Sequence, residues 1–327
     1  MSLPLTALQA APLSSAAQAF LRAAPAIRLP QFLYRYLTGP SKVAAIRSQF
    51  QSAEDVVEQD LIARHDLHLE RRVVAGVPQL VITPPRIAAG MEGVVVLNIH
   101  GGGFVMGTAR DRTALLTAAE LGAQVWSVDY TLAPEARFPV AIHQCLDVYR
   151  ALLGQVAPQR VAGVCSSSGG QLMLAMLHLA SAEGLPMPAA LMLYTPAADI
   201  SGAGDSVQAN DGRDVVPSRM SMALMQQNYL GDADPRDPRV SPLYADYPAT
   251  FPPTVISTGT RDLLLSNGVR LYWTLRAAGV HSELLVTEGG WHGHNWEPEL
   301  AEGKRMRAAM YQFVRARLAA ADQTRST

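Results

Sequence analysis

Arg160-Val161-Ala162-Gly163-Val164-Cys165-Ser166-Ser167-Ser168-Gly169-Gly170-Gln171-Leu172 is the stretch on which the reading of the fold turns. Its first half is an apolar run suited to a strand buried on both faces, and its end opens a helical pattern that continues to Glu183. Three serines and two glycines stand at the join. A sharp strand-to-helix turn can hold a serine hydroxyl out at the carboxyl end of a sheet, provided small residues lie two places before and two places after it. Ser167 is flanked in that way by Cys165 and Gly169, and Ser168 by Ser166 and Gly170, so two frames are open. A Ser/Gly-rich turn that only caps the helix accounts for the same residues.

Outward from this turn, short Val/Ile/Leu runs alternate with helical patterns, as expected for a mostly parallel sheet with crossover helices. The strand candidates are 67–74, 79–83, 93–99, 123–129, 160–165, 190–194, 254–258 and 283–287. Helices are expected over 110–121, 139–153, 169–183, 267–278 and 298–321. Two segments break the rhythm. Residues 1–60 read as helical, and residues 200–250 are irregular and rich in Gly and Pro, with a helix over 218–229. A break of that length between two strands is usually functional. The expected organisation is therefore a main α/β domain in two parts, 61–199 and 251–327, with 1–60 and 200–250 together forming a cap over one end of the sheet.

Composition narrows the class of function. Of 327 residues, 49% are apolar and 17% charged, ample for a large core and unlike a disordered chain. Lys and Arg number 27 against 28 Asp and Glu, so no basic surplus points to nucleic acid or an anionic membrane. No window approaches the ~20 apolar residues of a membrane span. The uncharged run from Ser2 to Leu21 has no basic residue ahead of it and is interrupted by Pro4, Gln9 and Pro12, unlike a secretory signal. Cys145 and Cys165 are too few for a disulfide framework and suit a reducing, cytoplasmic setting.

Three further segments stand where strands are expected to end, which is where open α/β sheets bind ligands. His100-Gly101-Gly102-Gly103-Phe104 follows one of them, and its consecutive glycines let backbone N–H groups converge on an anion. A dinucleotide fingerprint would need a third glycine where Met106 stands, although Asp129 imitates its ribose-binding acid. A developing oxyanion is the better occupant. Downstream, Asp262 and His292 each follow a strand candidate, giving the order Ser167, Asp262, His292. A serine nucleophile needs a base, and the base needs an orienting acid. Asp237 and Glu288 are the other candidates for that acid. His292-x-His294 has no third ligand at metal-like spacing, so neither a metal nor another cofactor is expected. Met222, Met225 and Tyr229 fall on one helical face, either as packing or as a flexible apolar wall for substrate. Phe104 and Trp291, beside the motifs, are further candidates for lining the site.

Ser before Asp before His is the chain order of the α/β-hydrolases. From about residue 93 to residue 296 the sequence resembles the bacterial hormone-sensitive-lipase-like carboxylesterases (family IV esterases) of that superfamily. His100–Gly103 is similar to the family's HGGG, and Asp129–Glu135 to its DYRLAPE, with Thr131 in place of arginine. Cys165–Gly170 stands where the family has GDSAGG, departing from it at Cys165, Ser166 and Ser168. Asp237–Leu243 resembles DPxxSPL, and Trp291-His292-Gly293 the HGF site, with His294 for phenylalanine. The resemblance implies the α/β-hydrolase fold with a helical cap and hydrolysis of short-to-medium acyl esters by Ser167, His292 and Asp262. It also implies an oxyanion hole from the N–H groups of Gly102, Gly103 and Ser168, with His100, Gly101 and Glu135 in support. Its members are often homodimers. Lactone hydrolysis by the same residues, and a hydrolase fold that binds ligands without turnover, are the alternatives.

Overall fold

Val95, Leu97 and Ile99 pack into one hydrophobic core, while Val94 and Val96, interleaved with them, pack into another. The same division recurs along neighbouring strands, with Leu191 and Leu193 on the first side and Ala190, Met192 and Tyr194 on the second. Side chains alternate across a strand, so a continuous apolar run is what a sheet covered on both faces requires.

The structure is a computed structural model that describes residues 2–27 and 30–323. Its eight strands are β1 (His68–Val74), β2 (Val77–Thr83), β3 (Val95–Ile99), β4 (Gln124–Val128), β5 (Val161–Ser166), β6 (Ala190–Tyr194), β7 (Thr254–Gly259) and β8 (Ser282–Thr287). They form one sheet in the order β1-β2-β4-β3-β5-β6-β7-β8. β2 pairs antiparallel with both β1 and β4, and every other pairing is parallel. Four helices precede the sheet: α1 (Ala7–Ala10), α2 (Ser15–Ala23), α3 (Gln31–Leu37) and α4 (Pro40–His65). The rest are α5 (Arg112–Leu116), α6 (Val140–Leu153), α7 (Ser168–Ala182), α8 (Asp205–Ala209), α9 (Ser218–Met225), α10 (Leu265–Ala277) and α11 (Ala301–Gln323). α6, α7 and α10 cover one face, and α5, α11 and the end of α4 the other. No helix among the described residues is long and apolar enough to cross a membrane.

The expected strands and crossover helices differ from these by a few residues, chiefly where a helix changes pitch. The pattern over 110–121 is α5 followed by a π-helical turn at Thr117–Leu121, and that over 218–229 is α9 followed by another at Gln226–Leu230. The two irregular segments divide more finely than the boundaries at 60 and 250. α4 runs on to His65, because Leu61 is anchored in the second core and only the left-handed Asp66 stops the helix. Beyond residue 231 the insertion returns to the sheet domain, burying Val240, Leu243, Ala245 and Tyr247 in the first core. At the other end of the chain, Leu13, Ala17 and Leu21 pack with Trp291 and Leu300, just after β8.

One close approach positions the site. At the start of α7, a Cβ on Gly169 would overlap the carbonyl oxygens of Ile99 and His100 at the end of β3. Glycine lets the helix N-terminus sit against the neighbouring strand end. Gly169→Ala is therefore expected to cost about 2 kcal/mol or more of stability in urea unfolding, as overpacking against backbone does. An unchanged midpoint would contradict this packing.

Candidate active site

Ser167 connects β5 to α7 with φ 50° and ψ −121°, a conformation that an L-residue adopts only under constraint. The constraints are explicit. Its N–H donates to the Tyr194 carbonyl at 3.0 Å, and its own carbonyl accepts the N–H groups of Gly170 at 2.9 Å and Ala197 at 2.8 Å. Cys165, two residues earlier, turns its thiol into the core, where the Sγ lies 3.9 Å from the Met192 carbonyl, so the turn accommodates it.

The loops after β7 and β8 bring two distant residues to this turn. His292 Nε2 lies 3.0 Å from Ser167 Oγ, and His292 Nδ1 lies 2.8 Å from Asp262 Oδ1. With the proton on Nδ1 facing the carboxylate, Nε2 is the acceptor for the serine hydroxyl. Asp262 also accepts the Thr258 hydroxyl at 2.8 Å and the Leu264 N–H at 2.8 Å. Burial alone would push its carboxyl up, but the His292 ring and these hydrogen bonds outweigh burial and hold it below the usual range. For His292 the balance has the opposite sign. Burial pulls the ring down, while the charge and hydrogen bond of Asp262 raise it above the ordinary value.

The structure brings the glycine loop to the same place. A Cβ on Gly101 would press on Ser166 and Ser167, and one on Gly102, at φ 107°, would overlap the Met106 carbonyl. His100 is buried behind the loop, neutral by burial, stacked on Tyr130 at 4.3 Å and donating from Nδ1 to the Gly101 carbonyl at 2.7 Å. Ser168 lies inside α7, with its hydroxyl accepting the Phe104 N–H at 3.3 Å, so the alternative serine frame points its side chain at the glycine loop instead of at His292. Glu135 is exposed. It grips Arg47 of α4 in two hydrogen bonds, and Arg47 donates in turn to the carbonyls of Val105 and Ala133. Its support of the loop therefore runs through Arg47, which nothing in the sequence singled out. Of the other candidate acids, Asp237 pairs with Arg239 and Glu288 is exposed.

Ser167, His292 and the three glycines open into a cavity of about 230 Å³. Pro217, Met220, Ser221 and Leu224 form one wall, at helical spacing along α9 and its first residue boundary. Phe50, Glu54 and Glu58, on one face of α4, line the cavity as well, together with Arg112, which grips Glu54. This corrects the expected lining. Met225 packs behind Gly103 in the first core, and Met222 also leans on that core. Phe104 is buried in a stack with Tyr229, ring centres 3.8 Å apart, and Trp291 stacks on Phe20. The apolar face counted from Met222, Met225 and Tyr229 is the one turned to the protein interior, and the less apolar neighbouring face meets the cavity.

Beside the site, the buried carboxylates Glu58 and Asp214 escaped the sequence reading, because neither lies in a recognisable motif. Glu58, held by Arg110, is pushed up to about 7, burial outweighing the guanidinium. Asp214 is pushed up to about 7 by burial and by the charge of Asp262. Asp214, Asp262 and His292 offer three donor atoms within 4.8 Å, a metal-like group by distance alone. Their atoms are already taken up by one another and by backbone N–H groups. His294 turns away from this group, its ring nitrogens meeting the Trp291 carbonyl and the Thr287 hydroxyl.

The raised carboxyls set a sign for stability. A free glutamate ionises near 4.5, whereas folded Glu58 keeps its proton to about 7. In that window the folded chain binds a proton that the unfolded chain has lost, so stability falls as pH rises. Asp214 and the raised His292 act in the same direction. Buried His100 and His294, held below the ordinary value, act the other way in the same window, so the readout is the difference between the two chains. Glu58→Gln is expected to make the fall of unfolding free energy with pH less steep, or its rise steeper, between pH 5 and pH 8 than in wild type. An identical slope in the variant would contradict the assignment.

A family model described as the alpha/beta hydrolase fold matches residues 96–295. An esterase of Acinetobacter venetianus is 32% identical over 240 residues, covering 68% of this chain and 78% of its own. An ethyl acetate hydrolase of Pseudomonas putida is 31% identical over 259 residues, covering 75% and 81%. Among solved structures, esterase E25 superposes with a TM-score of 0.87 at 30% identity over 97% of both chains. An esterase from the bacterial hormone-sensitive lipase family superposes with a TM-score of 0.73 at 31% identity, over 89% of this chain and 99% of its own. The chain belongs to the α/β-hydrolase fold family, among its hormone-sensitive-lipase-like esterases.

Proposed function

We propose that the protein is a serine carboxylesterase that hydrolyses short-to-medium acyl esters through an acyl-enzyme. The observation that carries this reading is the continuous hydrogen-bonded line from Ser167 Oγ through the His292 ring to Asp262, at 3.0 and 2.8 Å. Ser167 Oγ attacks the ester carbonyl carbon as His292 Nε2 takes its proton. The oxyanion that forms is held by the N–H groups of Gly102, Gly103 and Ser168, with the N-terminus of α7 adding a favourable field. His292 then protonates the leaving alcohol as the carbon–oxygen bond breaks. Water repeats the sequence on the acyl-serine, with His292 again as base, and frees the carboxylic acid. Asp262 stays ionised throughout, fixing the tautomer and stabilising the imidazolium.

The cavity supports the substrate class. About 230 Å³ is small for a ligand pocket, and Met220, Leu224 and Phe50 give it apolar surface for a short chain. In this reading α3, α4 and the segment from α8 to residue 231 form a cap over the carboxyl ends of the strands.

Hydrolysis of p-nitrophenyl esters from acetate to laurate tests the proposal. Wild-type turnover is expected to saturate and to peak at short chains. Ser167→Ala should lower kcat by about 10⁶-fold and Asp262→Asn by about 10⁴-fold, with the fold intact. Full activity in Ser167→Ala would overturn the reading. Leu224→Trp, which fills the acyl wall, is expected to move the optimum towards acetate, whereas an unchanged chain-length profile would remove α9 from the site.

A further inference from the structure

Asp214 has no step in this mechanism, yet its carboxylate is buried beside the two residues that activate Ser167. It arrives from outside the sheet, on the loop between α8 and α9. Oδ2 accepts the Leu263 N–H at 2.6 Å, and Oδ1 accepts the His292 N–H at 3.1 Å and the Val216 N–H at 3.3 Å. Leu263 follows Asp262 directly. One side chain thus holds the loop after β7 and the loop after β8 by their backbones, at Leu263, the neighbour of Asp262, and at His292 itself.

Its neighbours repeat the attachment. Asn210 Nδ2 donates to the carbonyl of Asp262 at 2.9 Å, and Arg261 Nε donates to the carbonyl of Arg213 at 3.0 Å. The Asp214 N–H closes back on the Asn210 carbonyl at 2.9 Å, so residues 210–214 form one turn stitched to the end of β7. Beyond it, Val216 and Pro217 lead straight into the cavity wall on α9.

We propose that Asp214 is a positioning residue for the reaction, fixing the register of Asp262 against His292 from the backbone side and, when ionised, adding a second negative charge near the imidazolium. The proposal rests on the esterase reading of Ser167, His292 and Asp262. The Leu263 and His292 N–H groups are taken by different oxygens, so an amide, with one acceptor oxygen, keeps at most one of the two attachments and also lacks the charge; the pH profile is what separates the charge from the positioning. The charged groups that face Asp214 are Asp262, His292 and Arg261, the last held by the carbonyls of Arg213 and Pro4. Asp214 raises His292, adding to the effect of Asp262, while Asp262 in turn makes Asp214 harder to ionise. The imidazolium that forms during acyl transfer would be stabilised by both carboxylates, and the line from the acyl wall to the base would pass through one side chain.

The test compares wild type with Asp214→Asn on p-nitrophenyl acetate between pH 5 and pH 9, alongside the rate at which a p-nitrophenyl phosphonate labels Ser167. Misplacing the base by a fraction of an ångström and removing its second charge should lower kcat by about 10- to 100-fold, with KM changed less than about threefold. Losing the negative charge should also move the acid limb of kcat/KM to lower pH, which a purely structural role would not do. Labelling of Ser167 should slow in parallel with kcat. Wild-type kcat, an unmoved acid limb and unslowed labelling would overturn the proposal while leaving the esterase reading in place. Failure of the wild type itself to label at Ser167 would overturn both. Should Asp214→Asn fail to fold, the wild type carries the test. The downfield proton resonance of His292 Nδ1–H should then shift with pH in two steps, one from His292 and one from Asp214, and a single step would overturn the proposal.

Discussion

Ser167 occupies a backbone conformation that costs on the order of 1–3 kcal/mol, and the architecture around it exists to hold it there. Tyr194 takes its N–H, Gly170 and Ala197 take its carbonyl, and Gly169 lets α7 close on the end of β3. With the main chain so pinned, the hydroxyl has few other directions and meets His292. Helix α7 begins in the same turn, and the glycine loop after β3 lies against it. A parallel sheet delivers all of this at one edge, because β3, β5, β7 and β8 run in the same direction and end together.

Electrostatics around the site is arranged in layers. Asp262 pays for burial with hydrogen bonds from Thr258, Leu264 and His292, and stays ionised. Asp214 accepts three N–H groups, yet burial and the neighbouring charge of Asp262 push it up to about 7, and at Glu58 burial outweighs the Arg110 guanidinium to the same extent. Both come from outside the core sheet, Glu58 from α4 and Asp214 from the insertion.

Much of this was legible in the sequence because it depends on local chemistry. The strand–serine–helix join at Val161–Leu172, the glycines after Ile99, and the placement of Asp262 and His292 just past strands all follow from neighbours in the chain. The structure brings these residues together. What was not legible depends on distant packing. Arg47 reaches Glu135 across 88 positions, and Asp214 meets His292 across 78, with no motif marking either. The Met222–Met225–Tyr229 stripe was a sound helical count, but periodicity does not tell which side of a helix faces a cavity. The apolar stripe turned inward, against Phe104 and the first core, and left Met220 and Leu224 to line the site.

In the proposed reaction Ser167 forms the bond to the acyl group. The most direct measurement is acid quenching of the enzyme during turnover of p-nitrophenyl acetate, followed by peptide mapping by mass spectrometry. An acetyl group is expected on the peptide containing Ser167, assigned by fragmentation to that residue and absent from His292→Ala. Acetyl found on Ser166 or Ser168 instead, or undiminished in His292→Ala, would contradict that reaction.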